Sequence, residues 1–185
     1  RHIFGIRDGT ETLRDTIEEL IESEEITDDS GSDELVLLRN ILNLRDLTTD
    51  DVMVPRADIV AVEIDTSLPD LVMLMSSKAH SRVPVYRETL DDAVGMVHIK
   101  DVLACWDAST PFELSNIVRR VLFVAPSMPM LELLLQMRAN RTQLALVVDE
   151  FGGIDGLITI EDLVEEIVGE IEDEHDGEVA PMISE

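Results

Sequence analysis

Gly156-Leu-Ile-Thr159-Ile-Glu-Asp162 sets a hydroxyl, a run of backbone N–H groups and a carboxylate at what reads as the junction of a strand and a helix. Donors at a helix start suit a phosphate, because the exposed N–H groups and the helix dipole both favour negative charge. A carboxylate three residues further on, in the first turn, can accept hydrogen bonds from a ribose diol. Gly156 would let a ligand come close to the backbone. The same spacing fits a self-contained cap, with Thr159 as N-cap and Asp162 completing a capping box.

A related corner, Gly95-Met-Val-His98-Ile-Lys-Asp101, has His98 where the first has Thr159. His98 is a candidate base or metal ligand, but no second ligand stands at metal spacing, so a residue ending a strand is the plainer reading. Lys100 would tolerate a phosphate nearby. In Ser81-Arg82-Val83-Pro84-Val85 a hydroxyl and a guanidinium precede a strand. Arginine is the natural fork for a phosphate chain; pairing with one of the many carboxylates is the alternative. Arg56, directly after Pro55, has the same two readings. The chain has no P-loop, no Gly-x-Ser-x-Gly and no convincing Cys/His dyad, so no catalytic residue set is expected.

These corners are positioned by a duplication. Residues 81–103 and 142–164 overlay without a gap at an offset of 61, aligning Gly95 with Gly156, Ile99 with Ile160 and Asp101 with Asp162. Each copy reads β-α-β-β-α. In the first, Ile59 to Ile64 is a strand, Thr66 or Ser67 caps a helix with Pro69 in its first turn, two strands follow around Val83–Val85 and Val94–Val97, and Ile99 to Trp106 is a helix. In the second, Leu122 to Val124 is a strand and Ser127 caps a helix with Pro129 in its first turn. Strands at Leu144–Val148 and Leu157–Ile158 flank a Gly152–Gly153 turn, and Ile160 to Val168 closes the copy. The earlier strand and helix align at an offset of 60, implying one inserted residue before position 142. One such unit is too small to cover both faces of its sheet, so the two are expected to pair, with clefts between them.

Ahead of the repeats, Leu13, Ile17, Leu20 and Ile21 predict one helix, capped near Thr12 and Asp15. Thr27 to Ser32 reads as a loop. Leu35, Leu38, Ile41 and Leu42 predict the apolar stripe of a second helix. The expected organisation is a helical segment over 1–50, repeats over 51–110 and 111–172, and an acidic tail over 173–185. Trp106 and the methionines 73, 75, 128, 130 and 137 are expected in the core.

The net charge of −26 argues against nucleic acid or an anionic membrane surface as partner. A lone cysteine, Cys105, leaves no disulfide framework and no thiolate metal site, and fits a reducing compartment. No apolar run is long enough to span a bilayer. The chain begins at Arg1, so a fragment of a longer protein is expected.

Several motifs in order give a family resemblance: Asp51-Val-Met-Val-Pro-Arg56, Ala79-His-Ser-Arg-Val-Pro-Val85, Val148-Asp-Glu-Phe-Gly-Gly153, Gly156-Leu-Ile-Thr-Ile-Glu-Asp-Leu163 and Ile167-Val-Gly-Glu-Ile-Glu-Asp173. Together they resemble a tandem pair of CBS (cystathionine-β-synthase) domains, and more narrowly the CorC/HlyC family of magnesium and cobalt efflux proteins, over about residues 35–175. The resemblance implies an α/β (α+β) regulatory module, dimerising through its helices, that binds ATP with Mg²⁺ in the cleft between repeats. Carried over, Thr159 and Asp162 contact phosphate and ribose, Ser81 and Arg82 face the phosphates beside Pro84, and Pro55, Arg56, Asp58 and Val60 line the adenine pocket. His98 and Asp101 mark a weaker second cleft, because His98 departs from the hydroxyl of the pattern. No metal ligand of the protein's own is implied. The resemblance also implies a membrane transport domain, in this chain's parent or another chain, placing the module at the cytosolic side of a membrane.

Overall fold

The computed structural model describes residues 29–106 and 111–169. The helix expected around Leu13 to Ile21, with its cap, and the acidic tail lie outside the described residues. The chain divides into two compact units, Arg45–Leu163 and Arg1–Leu44 with Val164–Glu185.

Both repeats belong to the larger unit. The first contributes β2 (Val62–Glu63), α3 (Leu68–Lys78), β3 (Arg82–Tyr86), β4 (Ala93–His98) and α4 (Ile99–Ala104). Before it come α2 (Thr49–Val52) and β1 (Val54–Pro55). The second contributes β5 (Leu122–Val124), α5 (Met130–Asn140), β6 (Leu144–Val148), β7 (Ile154–Thr159) and the start of α6 (Ile160–Val168). Both repeats therefore have the expected β-α-β-β-α order. Within each sheet the first strand runs parallel to the second, and the second antiparallel to the third.

Burial accounts for these strands. Val83, Pro84 and Val85 are buried in succession, the mark of a strand covered on both faces. Pro84 has no N–H to give, and β2 joins β3 only at Val85 and Tyr86, so on that side no ladder bond is missed. Leu71, Met75 and Val102 from the helices close over Val62, Val83, Val85 and Val97 to form the first core. A second cluster, Met96 with Leu144, Leu146 and Ile154, fills the seam between the two sheets.

Each sheet borrows backbone from ahead of the other repeat. β1 pairs with β7, aligning Val54 with Leu157 and Pro55 with Gly156. Arg119, ahead of β5, bridges to Met96 of β4 through Met96 N–H to Arg119 O at 2.9 Å and Arg119 N–H to Met96 O at 2.8 Å. This exchange explains the two shared glycines. A Cβ on Gly95 would lie 2.3 Å from Arg119 O, and one on Gly156 would lie 2.3 Å from Met53 Sδ. The space beside Gly156, expected to admit a ligand, is filled by Met53 and Val54.

The register corrects the gapless overlay. Arg82 faces His98 in β3/β4, whereas Leu144 faces Thr159 in β6/β7. Leu144 is thus the counterpart of Arg82, and Gln143 that of Ser81. The carbonyls of Ser81 and Gln143 make the same bond, to Ile99 N–H and Ile160 N–H. The second hairpin is one residue shorter than the first, and no residue is inserted before position 142. A one-residue slip exchanges the faces of a strand, so the side chains expected to match do not.

Other expectations shift locally. Ile59 to Ala61 is not strand, because the 3-10 turn Arg56–Asp58 carries the chain away from the ladder until Val62. Ser67 caps α3, accepting from Asp70 N–H. Its counterpart at α5 is Pro129, not Ser127, because Thr49 N–H and Met130 N–H tie Met128 O and Leu47 O into an isolated bridge. Met75, Met130 and Met137 are buried, but Met73 is 66% and Trp106 58% exposed. Met73 shares the outer face of α3 with polar neighbours, and Trp106 follows the end of α4.

In the smaller unit, α1 spans Asp29–Asn43 and absorbs part of the stretch read as a loop. Asp29 and Ser30 are favoured at a helix start, and Gly31 in the first turn costs little there. Leu35 and Leu42 are half-buried, whereas Leu38 and Ile41 of the expected stripe are exposed. The Asn40 side chain donates to Ile167 O at 3.1 Å. No described helix is long and apolar enough to cross a membrane.

Candidate functional site

The hairpin β6–β7 delivers Thr159 to the start of α6, where its counterpart in β4 is His98. Thr159 N–H and Oγ1 both donate to Asp162 Oδ2, at 2.6 and 2.8 Å. Asp162 N–H returns a long bond of 3.4 Å to Thr159 Oγ1. The capping box is therefore formed, and it uses one carboxylate oxygen of Asp162.

Arg82 reaches this corner from the other repeat. Its Nη1 donates to Glu161 Oε1 at 2.7 Å, and its Nη2 donates to Gln143 Oε1. The side chain is only 14% exposed, and its Nε is buried without a hydrogen-bond partner. Arg82, Glu161 and Asp162 are thereby gathered beside Thr159. Ser81 is exposed and uses its carbonyl to bind Ile99 N–H, fixing the mouth of β3. Pro84 is buried in β3 and takes no place on the surface of the corner.

Arg56 is directed elsewhere. Its guanidinium forms a two-pronged ion pair with Asp91 and donates to Ile154 O at 2.7 Å. Asp91 also accepts from Ile154 N–H at 2.8 Å. The pair latches the turn between β3 and β4 onto the start of β7. The bond from Arg56, then that from Ile154, holds the Asp91 carboxyl below its ordinary range, and Arg56 is raised in turn by Asp91. Pro55 lies in β1 on Gly156, Asp58 is exposed at the end of the 3-10 turn, and Val60 is half-buried. Ile59 packs into the seam cluster.

The second corner is built with different groups. His98 caps α4, its Nδ1 accepting from Lys100 N–H at 3.0 Å. Burial, then the charges of Arg82 and Arg119, lowers its pKa below the usual histidine value and favours the neutral ring. Asp101 is held by Arg119 through Nε at 2.6 Å and Nη2 at 2.7 Å, which lowers its pKa and raises that of Arg119. A cavity of about 460 Å³ opens here, with His98, Arg119, Arg120, Arg141 and Gln143 in its wall. Three of its residues are counterparts of expected site residues: Arg120 stands for Pro55, Gln143 for Ser81 and His98 for Thr159. Its arginines form a cationic concavity on a chain of net charge −26.

Sequence reasoning missed Glu161, Gln143, Asp91 and Arg119. Glu161 lies inside the motif, but spacing alone gives it no role. The other three act across 18 to 63 residues, and nothing local to them marks a partner. Among the described residues, no three His, Cys, Asp or Glu side chains gather where a metal ion could be held.

With this geometry in view, the kinship of the chain is plain. The family model for the CBS domain matches residues 44–106 and 114–169. The hemolysin C homolog of Rickettsia rickettsii (strain Sheila Smith) is 47% identical over 148 residues, 80% of this chain and 50% of that protein. Hemolysin C of Rickettsia prowazekii (strain Madrid E) is 46% identical over 148 residues, 80% of this chain and 49% of that protein. The chain thus spans about half the length of the curated relatives it matches. Among solved structures, the CBS domain of a bacterial CNNM/CorC family Mg²⁺ transporter superposes with a TM-score of 0.78 at 36% identity, covering 89% of this chain and 99% of that one. The CBS domain of the bacterial CNNM/CorC family transporter in complex with ATP gives a TM-score of 0.69 at 40% identity, over 75% of this chain and 99% of that one. A CBS-domain pair from Klebsiella pneumoniae with bound AMP gives 0.59 at 32% identity, over 66% and 99%. Two matched domains, each folded as the same five-element unit and joined by exchanged strands, make this chain a tandem CBS-domain pair of the CorC/HlyC family.

Proposed function

We propose that the chain is the regulatory, non-catalytic module of a CorC-type magnesium and cobalt efflux protein, and that it binds ATP with Mg²⁺ at the Thr159 corner. The observation that carries the reading is Arg82: a largely buried guanidinium from one repeat, with an idle Nε, ends beside the first turn of α6 in the other. An unsatisfied buried donor is an incomplete arrangement that an acceptor oxygen would complete. The start of α6 would favour the same phosphate chain through its dipole, and the Thr159 hydroxyl, which here donates to Asp162, would turn to a phosphate oxygen. Asp162 spends Oδ2 on the cap, and its second oxygen is suited to a ribose hydroxyl. Ser81, next to Arg82, would face the phosphates, while Pro55, Asp58 and Val60 would flank the base. Arg56 supports that segment through Asp91 instead of touching the ligand. Structural relatives bound to ATP and to AMP support the ligand class. Bound nucleotide would supply phosphate oxygens for a magnesium ion.

The reading predicts that ATP with magnesium raises the melting temperature, since a ligand that binds only the folded state stabilises it by mass action. Asp162→Ala should weaken ATP by roughly 1–3 kcal/mol, measured by calorimetry. Unchanged affinity would remove Asp162 from the site, and an unchanged melt at millimolar ATP would favour a ligand-free scaffold.

The His98 corner is the weaker second site. Its cavity offers arginines for phosphate, but Arg119 already occupies both oxygens of Asp101, which is the counterpart of Asp162. A homodimer through the helices is supported by Met73 on α3 and its counterpart Leu135 on α5, exposed at 66% and 57%. The module would act on the cytosolic side of a membrane, coupled to a transport domain in its own parent protein or another chain.

A further inference from the structure

The duplication leaves the two corners unequally charged. Arg119, Arg120 and Arg141 of the His98 cavity stand where the other half has Val54, Pro55 and Ala79, none of them charged. Acidic residues outnumber lysine and arginine by 40 to 14 on this chain, so cations gathered in one cavity should find carboxylate partners. Arg119 does, in Asp101. Among the described residues, the side chains of Arg120 and Arg141 have neither an ion pair nor a hydrogen bond. Arg141 closes α5 at φ 52, a left-handed conformation uncommon for a residue with a side chain. His98 adds a donor to the same wall: its Nδ1 accepts from Lys100 N–H, so the neutral ring carries its proton on Nε2. The groups that suit a nucleoside are spent or replaced. Both oxygens of Asp101 are taken by Arg119, leaving neither for a ribose diol, and Arg120 takes the place of the proline expected beside adenine.

We propose that the His98 cavity is a site for an oligophosphate without a nucleoside, held by Arg120, Arg141 and the His98 ring. The inference goes beyond the nucleotide reading of the Thr159 corner and does not depend on it. A chain of phosphates fits better than a single one, because the cavity holds about 460 Å³ and its cations come from separate elements, the segment ahead of β5 and the end of α5. Guanidinium forks match phosphate oxygens in geometry as well as charge. Binding is linked to the protonation of His98. Burial, then the charges of Arg82, Arg119 and Lys100, outweighs the pull of Asp101 and keeps the ring neutral. An anion beside Arg120 and Arg141 opposes those charges, so the ring takes up a proton more readily when the cavity is filled.

Calorimetry with tripolyphosphate, ATP and adenosine tests this on the chain as it stands. Arg120→Gln and Arg141→Gln should each weaken tripolyphosphate roughly tenfold, the lower range for a charge-assisted bond because both side chains are exposed. Arg120→Lys and Arg141→Lys, which keep the charge, should recover most of that loss. Excess adenosine should not displace tripolyphosphate, and Asp162→Ala should weaken ATP but not tripolyphosphate. In a proton NMR titration, the His98 midpoint should rise when tripolyphosphate is added, and the rise should vanish in the double variant Arg120→Gln with Arg141→Gln. No binding at millimolar tripolyphosphate overturns the proposal, as does equal affinity in the double variant. Arginine substitutions that weaken ATP more than tripolyphosphate also overturn it, because the cavity would then recognise the nucleoside. Tripolyphosphate binding without any ATP binding removes the nucleotide reading and leaves this one standing.

Discussion

At the scale of single residues, the informative positions are those whose neighbours come from the other repeat. Gly95 and Gly156 are shared by the two copies because exchanged backbone crosses each of them, not because a ligand does. Alanine at either should destabilise the fold by about 1–3 kcal/mol in urea unfolding, as expected for overpacking. Gly95→Ala should be the worse, since its Cβ would strike the fixed carbonyl of Arg119, whereas Gly156→Ala first meets the flexible end of Met53. His98 gives a pH signature. Its folded pKa lies below the ordinary value of 6.5, so folding favours the neutral ring. That contribution is complete above about pH 6.5 and is lost as the pH falls from there through the folded pKa. Asp91 and Asp101, also depressed, add further loss only below their ordinary value of 3.8. His98→Asn keeps a side chain that can cap α4 and should flatten the stability difference between pH 7.5 and 5. A drop equal to that of the unsubstituted chain would assign the effect elsewhere.

At the scale of elements, the repeats keep their order but not their details. Both central helices end in a left-handed residue, Ala79 after α3 and Arg141 after α5, so the turns into β3 and β6 are alike. Their starts differ, because α5 is entered from a segment bridged to Leu47–Thr49 while α3 is entered from a free turn. Ser67→Ala should therefore cost about 1 kcal/mol, the usual worth of an N-cap. Ser127→Ala should change stability by only a few tenths, and comparable losses would contradict the observed start of α5. The Arg56–Asp91 latch joins two elements that the sequence keeps far apart. Both side chains are 44% exposed, so a double-mutant cycle should return a coupling under about 1 kcal/mol that shrinks with salt. Its value lies in fixing the Pro55–Val60 segment, not in holding the fold.

At the scale of the whole molecule, the pairing of repeats places one guanidinium between two corners and leaves an apolar side chain exposed on the outer face of each central helix, Met73 on α3 and Leu135 on α5. If those faces join two copies, Met73→Glu with Leu135→Glu should convert a dimer to a monomer in analytical ultracentrifugation while sparing the melting temperature. An unchanged mass would place the interface on another face. Nucleotide at the Thr159 corner would touch residues from both repeats and so bias their arrangement, by no more than its difference in affinity for the two arrangements.

The β-α-β-β-α order and the two strand-to-helix corners were legible from the chain, because periodicity, caps and turn residues are local properties. Val83–Val85 and Leu144–Val148 read as strands whatever lies beside them. The pairing of Arg82 with Glu161, of Arg56 with Asp91 and of Arg119 with Asp101 was not legible, and neither was the role of the two glycines. These depend on which segment crosses which sheet, and on a one-residue difference in hairpin length that sets the strand register. Local pattern carries no record of either; only packing one repeat against the other fixes them.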